Sequence, residues 1–495
     1  MTIVNDHRTR IPRQRGPALL RTLVVGAGVA GRALARDLVA TPEFGLQPIG
    51  FVDDDQGKQP LTDLPLFGTL DDVTSVALSE DVDAVVLAIP RLDADTFRKV
   101  AQSAAAAGAS VRYLPSFVAA LERSVVGSDM RWLEVGKLIG RDEMHVVSHA
   151  AAAMIKDRTV LVTGAGGSIG SELCRQVFGF GPSRLIMLDH DESNLHRLQL
   201  ELWGEALLDS DDCVVADIRD RRRLDQIFSD VQPDIVFHAA AHKHLPLLER
   251  HPCEAVKSNV AGTENVLWAA LRHQAERFIL ISTDKAADPT SVLGATKRLA
   301  ELLVQQEAGG ATQVAAVRFG NVLGSRGSLL TVLAEQISRG QPITVTHPDM
   351  TRFFMTIEEA AGLVIEAARM AEQGEVFVLD MGEPVRIVDV AQSFAELMHR
   401  PDVEIRFTGM REGEKLNEQL FSSAESPRLT EHPRIFQVDA PDVMRQFHQR
   451  LSTLYHEAER NNPDRVRECL RQLLPDYQPH VPTTPALVAP YPDDY

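Results

Sequence analysis

Two stretches of the chain repeat the same order of apolar and polar positions. In each, an apolar strand runs into a glycine-rich turn and then a helix, first at LLRTLVVGAGVAGRALARDLV and again at RTVLVTGAGGSIGSELCRQVF. Apolar strands follow both, at PIGFVDDD and DAVVLAIP after the first and at SRLIMLD, CVVADIRD, PDIVFHAAAHKHLP and RFILISTDK after the second. This alternation predicts an α/β fold with two doubly wound parallel sheets in series.

The first glycine-rich turn spaces Gly26, Gly28 and Gly31 as GxGxxG, and Asp53 ends a strand about twenty residues later. Glycines in such a turn let a phosphate approach the N-terminus of the following helix, and the carboxylate is placed to bind a ribose. The pattern predicts a Rossmann-like domain with a second nucleotide-like site at these four residues. The alternative is a Rossmann-like shell that serves structure or regulation without binding a nucleotide.

The second glycine-rich turn has the spacing TGxxGxxG, and the strand after it ends at Asp189. A carboxylate there accepts hydrogen bonds from a ribose 2′-hydroxyl and repels a 2′-phosphate. No arginine follows in His190, Asp191 and Glu192, so we expect NAD rather than NADP. Asp217 ends the third strand and is a candidate contact on the adenine side. The residues predicted here to bind the cofactor are Gly164, Gly167, Ser168, Ile169, Gly170, Asp189 and Asp217.

The fifth strand of the second set leads into ISTDKAADPTSVLGATKRLAE, from Ile281 to Glu301. This segment is similar to the catalytic segment of short-chain dehydrogenases, which place a tyrosine four residues before the working lysine. Here the lysine is Lys297, and Leu293 stands at the tyrosine's place. Leucine can neither donate nor accept a proton. The protein is therefore either inactive, or other residues act as its acid and base.

Composition and charge are those of an ordinary soluble protein. Of the 495 residues 44% are hydrophobic and 24% charged, and the net charge of −18 argues against nonspecific nucleic-acid binding. The four scattered cysteines fit a reducing compartment and give no zinc or disulfide framework. No apolar stretch reaches the ~20 residues of a spanning helix, and the polar, Arg-rich start lacks a signal-peptide core. We therefore expect a cytoplasmic protein without an integral membrane segment.

These patterns divide the chain into six predicted segments. The segments are a disordered tail over 1–18, a Rossmann-like domain over 19–140, a connector over 141–157, a catalytic domain with a substrate-binding part over 158–440, helices over 441–474 and a Pro-rich tail over 475–495. The mixed polarity of the helical region fits either a cap on the substrate-binding part or an oligomer contact.

Seven blocks occur in a specific order between Val160 and Leu420. They are VLVTGAGGSIGSELCRQ, HAAAHKHLPLLE, NVAGTENV, STDKAADPTSVLGATKRLAE, VRFGNVLGSRGSLL, QPITVTHPDMTRFFMTIEEA and REGEKLNEQL. In these blocks, from about Leu133 to Leu420, the chain resembles the bacterial nucleotide-sugar 4,6-dehydratases of polysaccharide biosynthesis. That family consists of extended short-chain dehydrogenase/reductases acting on UDP-N-acetylglucosamine.

The N-terminal domain, through VRYLPSF and LEVGKLIGRDE, is similar to the extra domain of the family's long members. Long members usually carry transmembrane helices before that domain; this chain has none and looks like a naturally short or trimmed form. Short members have tyrosine at the position of Leu293, and long members commonly have methionine, which is close to leucine in size.

The resemblance implies hydride transfer from sugar C4 to NAD⁺, loss of water across C5 and C6, and hydride return to C6. It makes Asp284 the acid for the C6 hydroxyl, Lys285 the base at C5 and Lys297 a ligand of the nicotinamide ribose. Asp284 must then be protonated and Lys285 neutral, which burial and nearby charges can favour. Thr283, a water or ionised Asp284 is expected to relay the O4 proton, while Leu293 packs against the ring. The alternatives are a salt bridge of Asp284 with Lys285 that only closes a loop, and a helix-surface place for Lys297.

A UDP-sugar carries a diphosphate, so arginines are expected to bind it. The predicted substrate-binding residues are His242, Lys243, Asn321, Arg326, Arg352, Arg411 and Glu414. The His–Lys–His run after the fourth strand is equally compatible with a structural role. We also expect Asn259 to order the active-site helix, and Glu249 and Glu264 to be solvated helix charges. The histidines lack metal-ligand spacing, so no metal site is expected.

Three functions remain open at this point. The first is 4,6-dehydration of a UDP-N-acetylhexosamine, and the second is a C5-inverting dehydration or a related epimerisation. A plain 4-epimerase needs no acid for C6, so the block STDKA argues against it. The third is a sensor or scaffold that binds NAD and a UDP-sugar without turnover. The resemblance also implies a homo-oligomer.

Overall fold

The computed structural model describes residues 19–40, 45–55, 57, 64–89, 96, 99–100, 103–104, 106–113, 131–132, 147–204, 210–323, 325, 329–397, 400, 402–439 and 446–480. Both predicted terminal tails lie wholly or largely outside these ranges, as does Arg326. The chain divides into two compact units, Met1–Leu133 and Glu134–Tyr495. In the described ranges no helix combines the length and apolar character needed to span a membrane.

The first unit is built on one sheet. Its strands are β1 Leu20–Val25, β2 Leu46–Val52, β3 Leu66–Gly68, β4 Ala84–Leu87, β5 Ser110–Tyr113 and β6 Arg131–Trp132. Helices α1 Val29–Ala40 and α2 Val73–Ser79 connect them. The order is β3-β2-β1-β4-β5-β6, with β6 antiparallel to β5 and the other pairs parallel. Leu23, Val24 and Val25 are each fully buried, as expected for a central parallel strand that is covered on both faces.

The second unit contains a larger sheet of nine strands. These are β7 Thr159–Thr163, β8 Arg184–Asp189, β9 Cys213–Val215, β10 Ile235–His238, β11 Arg277–Ile281, β12 Gln313–Arg318, β17 Glu375–Leu379, β20 Arg428–Leu429 and β21 Ile435–Val438. Their order is β20-β21-β17-β12-β11-β10-β7-β8-β9. Strands β9 to β17 in this order pair in parallel, and β21 and β20 are antiparallel additions.

The strand order reverses at β7, which pairs with β8 on one side and with β10 on the other. In doubly wound sheets ligands bind outside the carboxyl ends of the strands at such a point. The two sheets confirm the predicted fold class of two Rossmann-like, doubly wound units in series.

The described helices of the second unit belong to its larger sheet and to the parts that pack beside it. They are α3 His149–Ile155, α4 Ser168–Gly179, α5 Glu192–Trp203, α6 Arg221–Val231, α7 Leu245–Arg250, α8 Pro252–Ala255, α9 Thr263–Arg272, α10 Val292–Gln306, α11 Leu329–Ser338, α12 Ile357–Met370, α13 Ile387–Leu397, α14 Phe447–Glu459 and α15 Pro463–Leu473. A π-helical segment, Val256–Gly262, continues α8 into α9. Local caps fix several starts; for example, Thr356 accepts a hydrogen bond from the Glu359 amide at 3.1 Å and begins α12.

Part of the second unit after β12 has an apolar core of its own. Three two-stranded sheets form it: β13 Asn321–Val322 with β16 Phe354–Met355, β14 Ile343–Val345 with β19 Ile405–Phe407, and β15 Thr351–Arg352 with β18 Val385–Arg386. Leu333, Ile343 and Val390 are fully buried in its apolar cluster. This cluster is separate from the main core, so the part packs as a small subdomain beside the sheet.

The C-terminal helices α14 and α15 are built into the main core. Phe447, Leu451, Leu454 and Ala458 form a buried stripe on α14, and they belong to the same apolar cluster as Val256 of the π-helical segment. These helices therefore pack on the core of the main sheet and not on the separate apolar cluster after β12, which differs from the predicted cap, and an oligomer contact stays a prediction.

Candidate active site

A cavity of about 670 Å³ opens at the carboxyl ends of the central strands of the second sheet. It is lined by most of the predicted site residues, which come from distant parts of the chain. Those on its wall are Gly164, Gly167, Ser168, Ile169, Gly170, Asp189, Asp217, His242, Lys243, Thr283, Lys285, Leu293, Lys297 and Asn321. Of the described residues predicted for the catalytic and substrate-binding site, those that do not line it are Asp284, Arg352, Arg411 and Glu414.

The glycine-rich turn between β7 and α4 leaves no room for side chains. Gly164 has a φ of +66°, and a Cβ there would lie 2.7 Å from the backbone of Ala240. A Cβ on Gly170 would lie 2.1 Å from the carbonyl oxygen of Gly164. These close approaches bring the first turn of α4 against β7, and Ser168, Ile169 and Gly170 of that turn line the cavity, where a helix N-terminus favours an anion.

Asp189, at the end of β8, is buried against this turn. Its Oδ2 accepts the Gly166 amide at 2.8 Å, and its Oδ1 accepts the Asp191 amide at 3.0 Å. Asp217 is held by Arg219, whose guanidinium lies 2.6 Å from it and 3.2 Å from Glu254. Arg219 is a cavity residue that the sequence reasoning missed, although it lies in the quoted block CVVADIRD.

The first unit repeats this arrangement. Asp53 Oδ2 accepts the Ala27 amide at 2.8 Å, and Oδ1 accepts the Asp55 amide at 2.9 Å. Gly26 has a φ of +105°, and a Cβ on Gly31 would lie 1.9 Å from its carbonyl oxygen. The two glycine-rich turns are therefore closed by a strand-end aspartate in the same way, although nucleotide binding in the first unit stays a prediction.

Asp284 and Lys285 form an ion pair just beyond β11. Lys285 Nζ donates to Asp284 Oδ1 at 2.9 Å and to Asn321 Oδ1 at 3.2 Å. Thr283 Oγ1 donates to the same Asp284 oxygen at 2.9 Å. Asp284 is fully buried, and among the described residues its Oδ2 has no hydrogen-bond partner. Asp284 therefore does not line the cavity itself, but it is hydrogen-bonded to Thr283 and Lys285, which do.

The electrostatics of Lys285 differ from the neutral state that the resemblance requires. Burial by itself lowers the pKa of Lys285, but the Asp284 and Glu418 carboxylates outweigh burial, so the pKa is raised. The site thus contains the salt bridge that the sequence left open as an alternative. An ion pair and a neutral acid–amine pair contain the same number of protons, so this contact is compatible with proton exchange between the two groups.

Lys297 lies in α10 with only 5% of its surface exposed, and its Nζ donates to the Ile281 carbonyl at 2.5 Å. Burial lowers its pKa to about 8, although Glu301 opposes the change. Lys297 is thus a buried cavity residue, not a surface lysine. Leu293 precedes it on the same helix, is 5% exposed, and forms apolar wall where a tyrosine hydroxyl would otherwise stand.

The start of α10 is held by residues far away in the sequence. Glu249 Oε1 accepts the Val292 amide at 2.6 Å, and Glu249 is 7% exposed. The prediction of Glu249 as a solvated charge was wrong, because the side chain folds inward to satisfy an N–H group of the helix start. Asn259 bonds both backbone groups of His242 and approaches Thr296 Oγ1 at 3.3 Å, which ties the loop after β10 to α10.

Two predicted phosphate ligands lie elsewhere than expected. Arg352 is buried, and its guanidinium donates to the carbonyls of Thr351, Leu416 and Lys415 at 2.6, 3.1 and 3.0 Å. These three hydrogen bonds hold a loop, and Arg352 does not line the cavity. Arg411 is exposed, and its amide donates to Glu414 at 2.9 Å, so these two residues contact each other outside the cavity wall.

Glu418 was also missed, although it lies in the quoted block REGEKLNEQL. Its Oε1 lies 3.8 Å from Lys285 Nζ and 3.9 Å from Arg352 Nε. Beneath the pair, Glu301 accepts from Ser282 at 2.6 Å and from buried Arg318 at 2.8 Å. Among the described residues no group of three or more His, Cys, Asp or Glu side chains is arranged to hold a metal ion.

The parallel sheet, the TGxxGxxG turn and the lysine of α10 at the cavity define an extended short-chain dehydrogenase/reductase. Residues 160–440 match the model of a polysaccharide biosynthesis protein family, and residues 7–115 match that of a CoA-binding domain. The chain therefore belongs to the polysaccharide biosynthesis protein family.

Individual relatives agree with this assignment. The capsular polysaccharide biosynthesis protein CapD of Staphylococcus aureus is 40% identical over 414 residues, 82% of this chain and 69% of that protein. A UDP-glucose 4-epimerase of Rickettsia rickettsii is 34% identical over 280 residues, 55% of this chain and 80% of that protein. The X-ray structure of Pen from Bacillus thuringiensis matches with a TM-score of 0.54 and 34% identity, covering 58% of this chain and 89% of that one.

Proposed function

We propose that this protein catalyses the 4,6-dehydration of a UDP-N-acetylhexosamine, with UDP-N-acetylglucosamine as the first substrate to test. The observation that supports this most strongly is the joined acid–base pair of Asp284 and Lys285 next to the cavity. A reaction that removes water from C5 and C6 needs an acid and a base together, whereas a simple oxidation or 4-epimerisation needs no acid for C6.

The residues of the glycine-rich turn fit a dinucleotide. Gly164 and Gly170 leave the first turn of α4 open to a pyrophosphate, and buried Asp189 is placed for a ribose hydroxyl. The charge of Asp189 favours NAD over NADP, because a 2′-phosphate beside it would be repelled. When bound, NAD would accept the hydride of C4 and return it to C6, while Lys297 would hold its nicotinamide ribose.

The proton at O4 has a route that needs no tyrosine. Thr283 Oγ1 already donates to Asp284 at 2.9 Å, so a proton taken from O4 by Thr283 can pass to ionised Asp284. Asp284 thereby becomes the protonated acid that the next step requires. Leu293 contributes an apolar wall and takes no part in proton transfer.

Lys285 must first release its own ammonium proton to solvent before it can act as the base, and it takes a proton back from solvent when the cycle is complete. Neutral Lys285 removes the C5 proton while protonated Asp284 gives its proton to the departing C6 hydroxyl, and water leaves. Return of the C5 proton from Lys285 on the same face gives retention at C5. The protons balance, because the O4 proton leaves in the water molecule and the C5 proton is restored.

The test is to incubate the purified protein with UDP-N-acetylglucosamine and follow the product by mass and NMR. We expect loss of one water, a new C6 methyl group, and a C4 ketone or its hydrate. Asp284→Asn and Lys285→Met should each reduce the rate by about 10²- to 10⁴-fold. Lys99→Met, on an exposed lysine of the first unit, is the matched control and should leave the rate unchanged.

A second candidate is epimerisation, which the Rickettsia relative described as a UDP-glucose 4-epimerase favours. It would give a product of unchanged mass from UDP-glucose or UDP-N-acetylglucosamine. A C5-inverting dehydration would instead change the H5 couplings of the dehydrated product. Saturable binding of NAD and UDP-sugar without any product from several UDP-hexoses would favour a sensor or scaffold.

A further inference from the structure

Glu418 is a buried carboxylate whose bonding capacity the fold leaves partly unused. Its side chain is 3% exposed, and among the described residues its Oε2 has no hydrogen-bond partner. Its Oε1 lies 3.8 Å from Lys285 Nζ and 3.9 Å from Arg352 Nε, which are ion-pair distances but longer than hydrogen bonds. A buried charge in this state costs free energy, so a role beyond loop structure has to account for it.

The neighbouring buried carboxylate Glu425 is a useful contrast. Its Oε2 accepts from Arg318 Nη1 at 2.8 Å and from the Ser422 amide at 2.8 Å. Arg298 adds an ion pair at 3.2 Å. Glu425 thus holds its loop to β12 through close hydrogen bonds, whereas within the described part of the chain Glu418 lies at ion-pair distance from Lys285 without a hydrogen bond to it.

The loop that contains Glu418 is attached to the catalytic segment from several sides. Lys415 Nζ donates to the Ala287 carbonyl at 2.8 Å, and Arg352 holds the carbonyls of Lys415 and Leu416. The backbone around Glu418 is therefore fixed relative to Lys285 by contacts independent of the Glu418 side chain. Removing the charge of Glu418 should leave this loop in place.

We propose that Glu418 is a positioning residue of the dehydration, a second carboxylate that acts through Lys285 by holding its ammonium group beside Asp284. This inference rests on the proposed function. The charged groups facing Lys285 are Asp284 and Glu418 on the negative side, and Arg352 and Lys415 on the positive side. Without Glu418, Asp284 would raise the pKa of Lys285 by itself, while burial and the two cations would still lower it.

The direction of the expected effect follows from these charges. Glu418 favours the protonated form of Lys285, and Lys285 acts as the base only after losing that proton. Glu418→Gln should therefore lower the pKa of Lys285 and move the acidic limb of the kcat profile to lower pH. One charge at 3.8 Å corresponds to about 1 to 3 pH units for effective dielectric constants between roughly 60 and 20.

The experiment measures the pKa of Lys285 by two methods in the full chain. Trace labelling of lysines with an amine reagent across pH, read by peptide mass, gives the midpoint for Lys285 without any turnover. The kcat profile across pH then reports the same group during the reaction. Glu418→Gln is compared with Glu418→Asp, which keeps the charge, and with Glu412→Gln, an exposed residue of the same loop.

We expect Glu418→Gln to lower both the labelling midpoint and the acidic limb, with both features nearly unchanged in the two comparison variants. Glu418→Ser, which leaves room for a water beside Lys285, provides a second uncharged variant if the first does not fold. An unchanged labelling midpoint would overturn the inference whether or not the protein turns over. A shifted midpoint in a protein that dehydrates no UDP-hexosamine would reject the proposed function while leaving Glu418 as the charge partner of Lys285.

Discussion

Replacing Glu249 by glutamine should stabilise this protein at neutral and alkaline pH. Burial raises the pKa of Glu249 to about 7, against an ordinary value of 4.5, although the hydrogen bond from the Val292 amide opposes the change. Glu412 adds to the increase and Arg467 opposes it. The ionised carboxylate at the start of α10 is therefore less stable in the folded chain than in the unfolded chain.

The sign of the pH dependence follows from linkage. The folded protein binds the proton of Glu249 more tightly, so stability falls as the pH rises from about 4.5 to about 7 and is then constant. At 1.36 kcal/mol per pKa unit the full difference is about 3 kcal/mol, and partial solvent screening reduces it to between about 1 and 3 kcal/mol. Glutamine removes this cost and keeps an oxygen that accepts the Val292 amide.

The assay is urea unfolding at pH 5, 7 and 8.5, followed by circular dichroism. We expect Glu249→Gln to exceed the wild type by less than about 1 kcal/mol at pH 5, where Glu249 ionises only partly in the unfolded chain, and by about 1 to 3 kcal/mol at pH 8.5. Glu396→Gln, on exposed Glu396 of α13, is the control and should change the stability by less than about 0.5 kcal/mol at each pH. A destabilised Glu249→Gln at pH 8.5, or an equal difference at all three pH values, would refute the reasoning.

Three further variants test other parts of the molecule. Asp189→Ala should weaken NAD binding by about 10- to 100-fold in calorimetry and reduce the ratio of the affinity for NAD to that for NADP. Unchanged affinity for both cofactors would show that Asp189 does not bind the ribose. Leu293→Met should keep kcat within about tenfold, because it preserves an apolar wall of similar volume, and a complete loss of turnover would contradict a purely apolar role. Arg318→Met should destabilise the fold by about 3 to 5 kcal/mol in urea unfolding, because it leaves Glu301 and Glu425 buried with fewer partners. The control, Arg386→Ala at an exposed position, should keep the free energy of unfolding within about 0.5 kcal/mol of the wild type. A similar loss of stability in Arg318→Met and Arg386→Ala would contradict a stabilising role for the ion pairs of Arg318.

Features that depend on neighbouring residues were predictable from the sequence. The strands and glycine-rich turns are local patterns, and a doubly wound sheet brings the strand ends together, so Asp189 and Thr283 were expected at one edge. The buried stripe of α14 was also visible in principle, since Phe447, Leu451 and Leu454 recur at helical spacing. The mixed polarity of the intervening residues hid it.

Features that depend on distant partners were not predictable. Glu249 resembles any acidic residue near the end of a short helix until the amide of Val292 is placed against it. Arg352 resembles a phosphate ligand until the carbonyls of the 415–416 loop occupy its guanidinium. Glu418 has no distinguishing pattern at all, because its importance comes from its distance to Lys285. In each case long-range packing, which the sequence pattern does not contain, decides the role.

The most direct test of the central claim is to follow a deuterium label placed at C4 of UDP-N-acetylglucosamine. The proposed reaction moves that label to C6 of the same sugar, so the product should contain a singly deuterated methyl group after loss of water. NMR and mass of the product read both features in one sample. A label that stays at C4, or appears in solvent, or a sugar of unchanged mass would contradict 4,6-dehydration by this protein.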